Sequence, residues 1–138
     1  MKRYTIIDHT ADIGIAVTGR TKKETLAGMV EAMFDLMVEQ KTVHVVEEKQ
    51  IAVKGADAED VLINLMREAL YLFHSQAWLC KKCEIMELAS RKAMARLGGE
   101  RYDARKHRLK MEIKAVTYHT AKIKRSDSGW QARVIFDV

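Results

Sequence analysis

The sequence predicts an α+β domain in which two helices pack on one face of a mixed, mainly antiparallel sheet. Three observations carry that expectation. Apolar residues recur at intervals of three and four in two stretches, while the segment before the first and nearly everything after the second alternate with the period of strands. At 138 residues, 48% hydrophobic and 31% charged, the chain holds enough apolar material for one core. A single domain spanning residues 1–138 follows.

Ile13, Ile15 and Val17 alternate with Gly14, Ala16 and Thr18, the pattern of a half-buried strand that Gly19 and Arg20 break. Thr21 stands three residues before Glu24 as in a capping box, and Leu26, Met29, Val30, Met33, Phe34 and Met37 follow at helical spacing, predicting a helix over about 22–38. From Val43 to Val53 the β-branched content rises and the helical period is lost, which reads as a strand that is irregular near Glu47 and Glu48. Asp57 can cap a second helix carrying Val61, Leu62, Leu65, Met66, Ala69, Leu72 and Phe73, with its end near His74 or Ser75.

Beyond that point the pattern is that of strands. Residues 77–89 and 91–98 read as a hairpin pair, with Gly98 and Gly99 marking a turn. Ile113, Ala115, Thr117, His119, Ala121 and Ile123 share one parity of a further strand, and Trp130, Ala132, Val134, Phe136 and Val138 one parity of the last. Between them, residues 126–129 supply the turn.

Several classes are disfavoured. No stretch approaches the roughly 20 apolar residues of a membrane-spanning helix, and the opening MKRYTIIDHTAD lacks the apolar run of a signal peptide, so a cytoplasmic protein is expected. Cys80 and Cys83 are too few for a disulfide framework, in keeping with a reducing compartment. Their C-x-x-C falls in a predicted strand, where positions i and i+3 face opposite ways, so a redox or zinc role is not favoured. Phosphate-cradling glycine loops and the G-x-S-x-G elbow are both missing from the sequence, and no nucleophile with its base is recognisable. The chain does not read as an enzyme, and no catalytic residue is assigned.

Charge is uneven: residues 1–69 hold 9 Lys/Arg against 12 Asp/Glu, whereas residues 70–138 hold 15 against 7. The run Arg91, Arg96, Arg101, Arg105, Lys106, Arg108, Lys110 carries much of the excess with few aromatics among it, so it reads either as a solvated basic edge or as an anion-facing surface.

The segment DHTADIG (8–14) places two aspartates and a histidine ahead of a strand. Asp12 lies on the parity opposite Ile13 and Ile15, and Asp137 on the parity opposite Val134 and Phe136. If the first and last of these strands are neighbours, the two carboxylates meet, with the terminal carboxylate of Val138 close behind. Such oxygens suit Ca²⁺, Mg²⁺ or Mn²⁺; otherwise they are two ordinary surface aspartates. His9 and His119 each stand alone, without the paired spacing of a zinc motif, and His44, His74 and His107 offer less.

DHTADIGI (8–15), LINLMREALYLF (62–73), IKAVTYH (113–119) and GWQARVIFDV (129–138), in that order, resemble the archease family, small proteins that assist an RtcB-type RNA-splicing ligase. The resemblance implies the fold expected above and an accessory role: promoting guanylylation of the ligase and its multiple turnover, and broadening its nucleotide use. It implies a divalent cation, usually described as calcium, held at Asp12, Asp137 and Val138, with Mn²⁺ or Mg²⁺ as alternatives. Asp8, His9 and His119 are candidates to support that site or to face a partner. The implied partners are the ligase and, through it, tRNA or another RNA; no membrane is involved. His74 after LYLF, Ala104 after Tyr102–Asp103 and the CKKC segment depart from the family pattern and weaken detailed transfer to the middle of the chain. By architecture alone, the competing reading is a small basic RNA-binding or chaperone-like adaptor that does not activate a ligase.

Overall fold

A computed structural model describes residues 4–8 and 12–138, with Asp8 described by its backbone alone. In chain order the elements are β1 (Tyr4–Asp8), β2 (Asp12–Gly19), α1 (Lys22–Met37), a short 3₁₀ turn at Gln40–Thr42, β3 (Glu47–Lys54), α2 (Ala58–Gln76), β4 (Trp78–Ala89), β5 (Lys92–Arg101), β6 (Ala115–Ser126) and β7 (Gly129–Asp137). The fold is α+β, as the periodicities predict. Both helices start where the sequence places them. Thr21 Oγ1 accepts the Glu24 N–H at 3.0 Å, and Asp57 accepts the Asp60 N–H at 2.9 Å while Asp60 reaches back to the Ala56 N–H at 2.8 Å.

The strands, however, form two sheets rather than one. Their orders are β1-β2-β7-β6 and β3-β5-β4, and the paired strands are antiparallel throughout. The reason lies in the helices. The end of α1, from Ala32 to Met37, is buried all round, so one sheet on one side cannot cover it. It packs on β2 and β7 of the first sheet and on β4 of the second, while α2 packs on β6 and on all three strands of the second. The shared core joins Ile15, Val17, Val134 and Phe136 to Ile51, Ala95 and Leu97 through Met29, Phe34, Leu62 and Met66.

Each helix also covers an exposed sheet edge. Along β4, Glu31 accepts the Cys83 N–H at 2.9 Å, Lys23 donates to the Met86 carbonyl at 3.4 Å, and Gln40, beyond the end of α1, donates to the Cys80 carbonyl at 3.3 Å. Along β6, Glu59 accepts the Ile123 N–H at 3.1 Å and Arg67 donates two bonds of 3.1 Å to the Val116 carbonyl. These bonds occupy backbone groups that would otherwise invite another strand.

Three local expectations are corrected. Gly98 and Gly99 lie inside β5, and the turn is Ser90–Arg91. A Cβ on Gly99 would stand 1.8 Å from the Leu79 carbonyl oxygen, so glycine is required there by close backbone approach rather than by a turn. The expected parity of β6 breaks at a bulge between Thr117 and Lys122, where Thr120 takes a positive φ of 53°. Val116 and Ile123, of opposite parity in the sequence, are consequently both buried. Finally, β1 precedes the first expected strand and pairs along its length with β2.

Candidate cation site and its surroundings

Strands β2 and β7 are neighbours. In the β2–β7 ladder Asp12 stands directly opposite Asp137, and β6 continues the rung with Ala115 opposite Asp137. Directly opposed residues hold their Cβ atoms about 4.5–5.5 Å apart on one face of a sheet, and like charges so placed repel. Ile13 and Phe136, on the other face of the same strands, are buried in the core, which keeps the rung facing away from it. Both aspartates are half-buried and Val138 is exposed. The Asp137 carbonyl is occupied, accepting the Lys114 N–H at 2.8 Å, so this end of β7 is fixed where β6 begins.

The donor set suits a hard cation in kind: two carboxylates in register. Among the described residues, no three His, Cys, Asp or Glu side chains gather as a metal cluster.

Other predicted site residues are placed differently. Asp8 is the register partner of Ile13 rather than of Asp12. His9 lies outside the described residues. His119 is exposed on the β6 bulge, two residues past Thr117, which pairs with Ile135; the register does not bring it to the Asp12–Asp137 rung. Its N–H donates to Thr117 Oγ1 at 3.3 Å.

A buried charged cluster that sequence spacing did not indicate lies beside the loop after β5. Glu100 Oε1 accepts from Lys106 Nζ at 2.6 Å, and Oε2 accepts from the His44 N–H at 2.6 Å and from His107 Nε2 at 3.0 Å. The Asp103 N–H donates to His107 Nδ1 at 2.9 Å, which makes Nδ1 the acceptor and leaves Nε2 to carry the ring proton. Burial alone would raise the Glu100 carboxyl, but the bonds from Lys106, His107 and His44, with the Lys106 charge, outweigh it and hold the group at about 2. His44 and Glu100 are too far apart in sequence for any local pattern to link them.

The cysteines also depart from expectation. A bulge at Lys81 sets Cys80 opposite Gly99 and Cys83 opposite Leu97, so the two side chains share one face of β4. Cys80 is buried and Cys83 partly so. Burial pushes both thiols up, reinforced by the Glu31 carboxylate, which is the reverse of what a reactive cysteine needs.

Fold and site together define a small α+β protein whose β2 and β7 strands present paired carboxylates on one rung. The profile of the Archease protein family matches residues 4–138. The chain is 34% identical over 142 residues to protein archease of Pyrococcus abyssi, covering all of both chains, and 32% identical over 143 residues to that of Methanosarcina mazei, covering 99% of this chain and 97% of the relative. The solution structure of Methanobacterium thermoautotrophicum protein 1598 superposes with a TM-score of 0.85 at 28% identity, covering both chains fully. The chain belongs to the Archease family.

Proposed function

We infer that this protein is a metal-binding accessory factor that activates an RtcB-type tRNA-splicing RNA ligase, promoting its guanylylation and multiple turnover and broadening its nucleotide use. The observation that carries the reading is the Asp12–Asp137 rung, in which two carboxylates stand opposed. Such a juxtaposition is unfavourable without a compensating cation, and Asp12, Asp137 and Val138 would hold a Ca²⁺, Mn²⁺ or Mg²⁺ ion. When bound, the ion supplies positive charge for phosphate oxygens. The residues of this chain orient and present that charge from a rigid ladder. Nucleotidyl transfer depends largely on positioning and charge neutralisation, so a protein without a nucleophile can still accelerate it. Cytoplasmic residence belongs to the same proposal; no helix among the described residues is long and apolar enough to cross a membrane.

Single-turnover guanylylation and multiple-turnover joining by purified ligase, with and without this protein, are the tests. The reading expects stimulation at substoichiometric amounts in multiple-turnover joining, and its loss with folded Asp12→Ala. Full stimulation by folded Asp12→Ala would refute the role of the rung. RNA affinity without any stimulation would instead favour the basic adaptor.

A further inference from the structure

We propose that the loop joining β5 to β6, residues 102–114 with Arg101 at its base, is a docking surface for the phosphate backbone of RNA, contacted by this chain itself. In the reading above, RNA reaches the protein only through the ligase. The choice of RNA as the nucleic acid rests on that reading; the surface does not.

Residues 101–114 carry six Lys/Arg against two acids, a net +4 in a chain whose total is +5. Arg101, Arg105, Lys106, Arg108, Lys110 and Lys114 are all exposed. Lys106 is committed to Glu100, and Arg105 reaches Asp103 only at 3.9 Å. Among the described residues the other four cations make no ion pair.

The loop lacks regular structure, yet its backbone is tied along its length. The Tyr102 N–H donates to Ala77 at 2.6 Å, the Glu39 N–H to Arg108 at 2.8 Å, the Lys110 N–H to Met37 at 2.8 Å and the Lys114 N–H to Asp137 at 2.8 Å. His107 and Ile113 are buried beneath it. The cations therefore project from a fixed frame, which lowers the ordering cost of binding a repeating polyanion.

Two competing explanations fall short in magnitude. The loop crosses the C-terminal end of α1, and cations are favourable there, but a helix terminus carries only about half a negative charge. That does not account for a net +4. A protein partner would be expected to find buried aromatic or aliphatic anchors, whereas Leu109 is the sole large apolar side chain exposed along the loop among the described residues. A phosphate backbone needs only the cations.

The test is fluorescence anisotropy of a labelled 20-nucleotide single-stranded RNA with the isolated full-length protein across a salt series. Arg105→Glu/Arg108→Glu/Lys110→Glu is compared with Lys54→Glu/Arg91→Glu/Lys92→Glu, an equal charge change at exposed positions of the second sheet and its β4–β5 turn. The loop triple should bind at least tenfold more weakly at low salt, with the slope of log affinity against log salt reduced by about 2. The control should change less than threefold. A neutral loop triple, with glutamine at the same three positions, gives the same direction if the reversed one does not fold. Lack of RNA binding by the wild type would overturn the proposal, as would equal loss in the two triples. Retained RNA binding by the loop triple together with lost binding to purified ligase would make the loop a protein interface instead. Because the RNA measurement contains no ligase, its failure and the failure of the activator reading are separately visible.

Discussion

Asp12 faces Asp137 across the β2–β7 ladder, and each is held there by the register of strands whose opposite faces are buried. The strands cannot shift out of this register without unpacking Ile13 or Phe136. The repulsion is therefore built into the fold, and its relief is measurable. In EDTA, Asp12→Asn should stabilise the protein by a few tenths to about 1 kcal/mol in urea unfolding. With Ca²⁺ or Mn²⁺ present the wild type should gain stability by mass action, and the variant should gain much less. Calorimetric titration should show affinity at least tenfold weaker in Asp12→Ala and Asp137→Ala. Equal cation binding by wild type and both variants would sink the site.

Glu100 should be the most sensitive charged position in the core. Glu100→Ala strands the His44 N–H, His107 Nε2 and Lys106 at once and should cost on the order of 3 kcal/mol in urea unfolding. Its folded value of about 2 lies below the ordinary 4.5, so its stabilising contribution is complete above the ordinary value and lost as pH falls towards 2. Stability of the wild type should decline between about pH 5 and pH 2, and Glu100→Gln should flatten part of that decline. An unchanged pH dependence would show that other carboxylates dominate.

Gly99→Ala should be severely destabilising, by more than about 3 kcal/mol, or should abolish folding, because the new Cβ would meet the Leu79 carbonyl oxygen, a backbone atom. Gly98→Ala meets a side-chain carbon of Val45 at 2.9 Å, which can yield, and should cost about 1 kcal/mol. Similar losses in thermal melts of the two variants would contradict this ranking.

Cys80→Ser/Cys83→Ser should leave ligase stimulation intact while lowering stability by about 1–2 kcal/mol, since Cys80 is packed in the core. In the wild type, both thiols should alkylate slowly at pH 8 and rapidly once denatured, because burial holds them protonated. Loss of stimulation by a folded double variant would restore a functional role for the pair.

Local signals in the sequence were enough to specify both helices and their caps. Thr21, Asp57 and the apolar spacing after each act within a few residues, and such interactions do not depend on the rest of the chain. The alternation around Ile13 and Val134 likewise determined which face Asp12 and Asp137 occupy, because side-chain parity in a strand is fixed by its pleat. Their meeting was not decided there: it required β2 and β7, at opposite ends of the chain, to pair in one particular register. The division into two sheets was equally tertiary, tied to the all-round burial of the end of α1, Ala32–Met37. Bulges at Lys81 and in β6 inverted parities that simple alternation would assign, placing Cys80 and Cys83 on one face and exposing His119. Glu100 became a buried hub only when His44, Lys106 and His107 converged on it from separate segments, a convergence no short-range periodicity encodes.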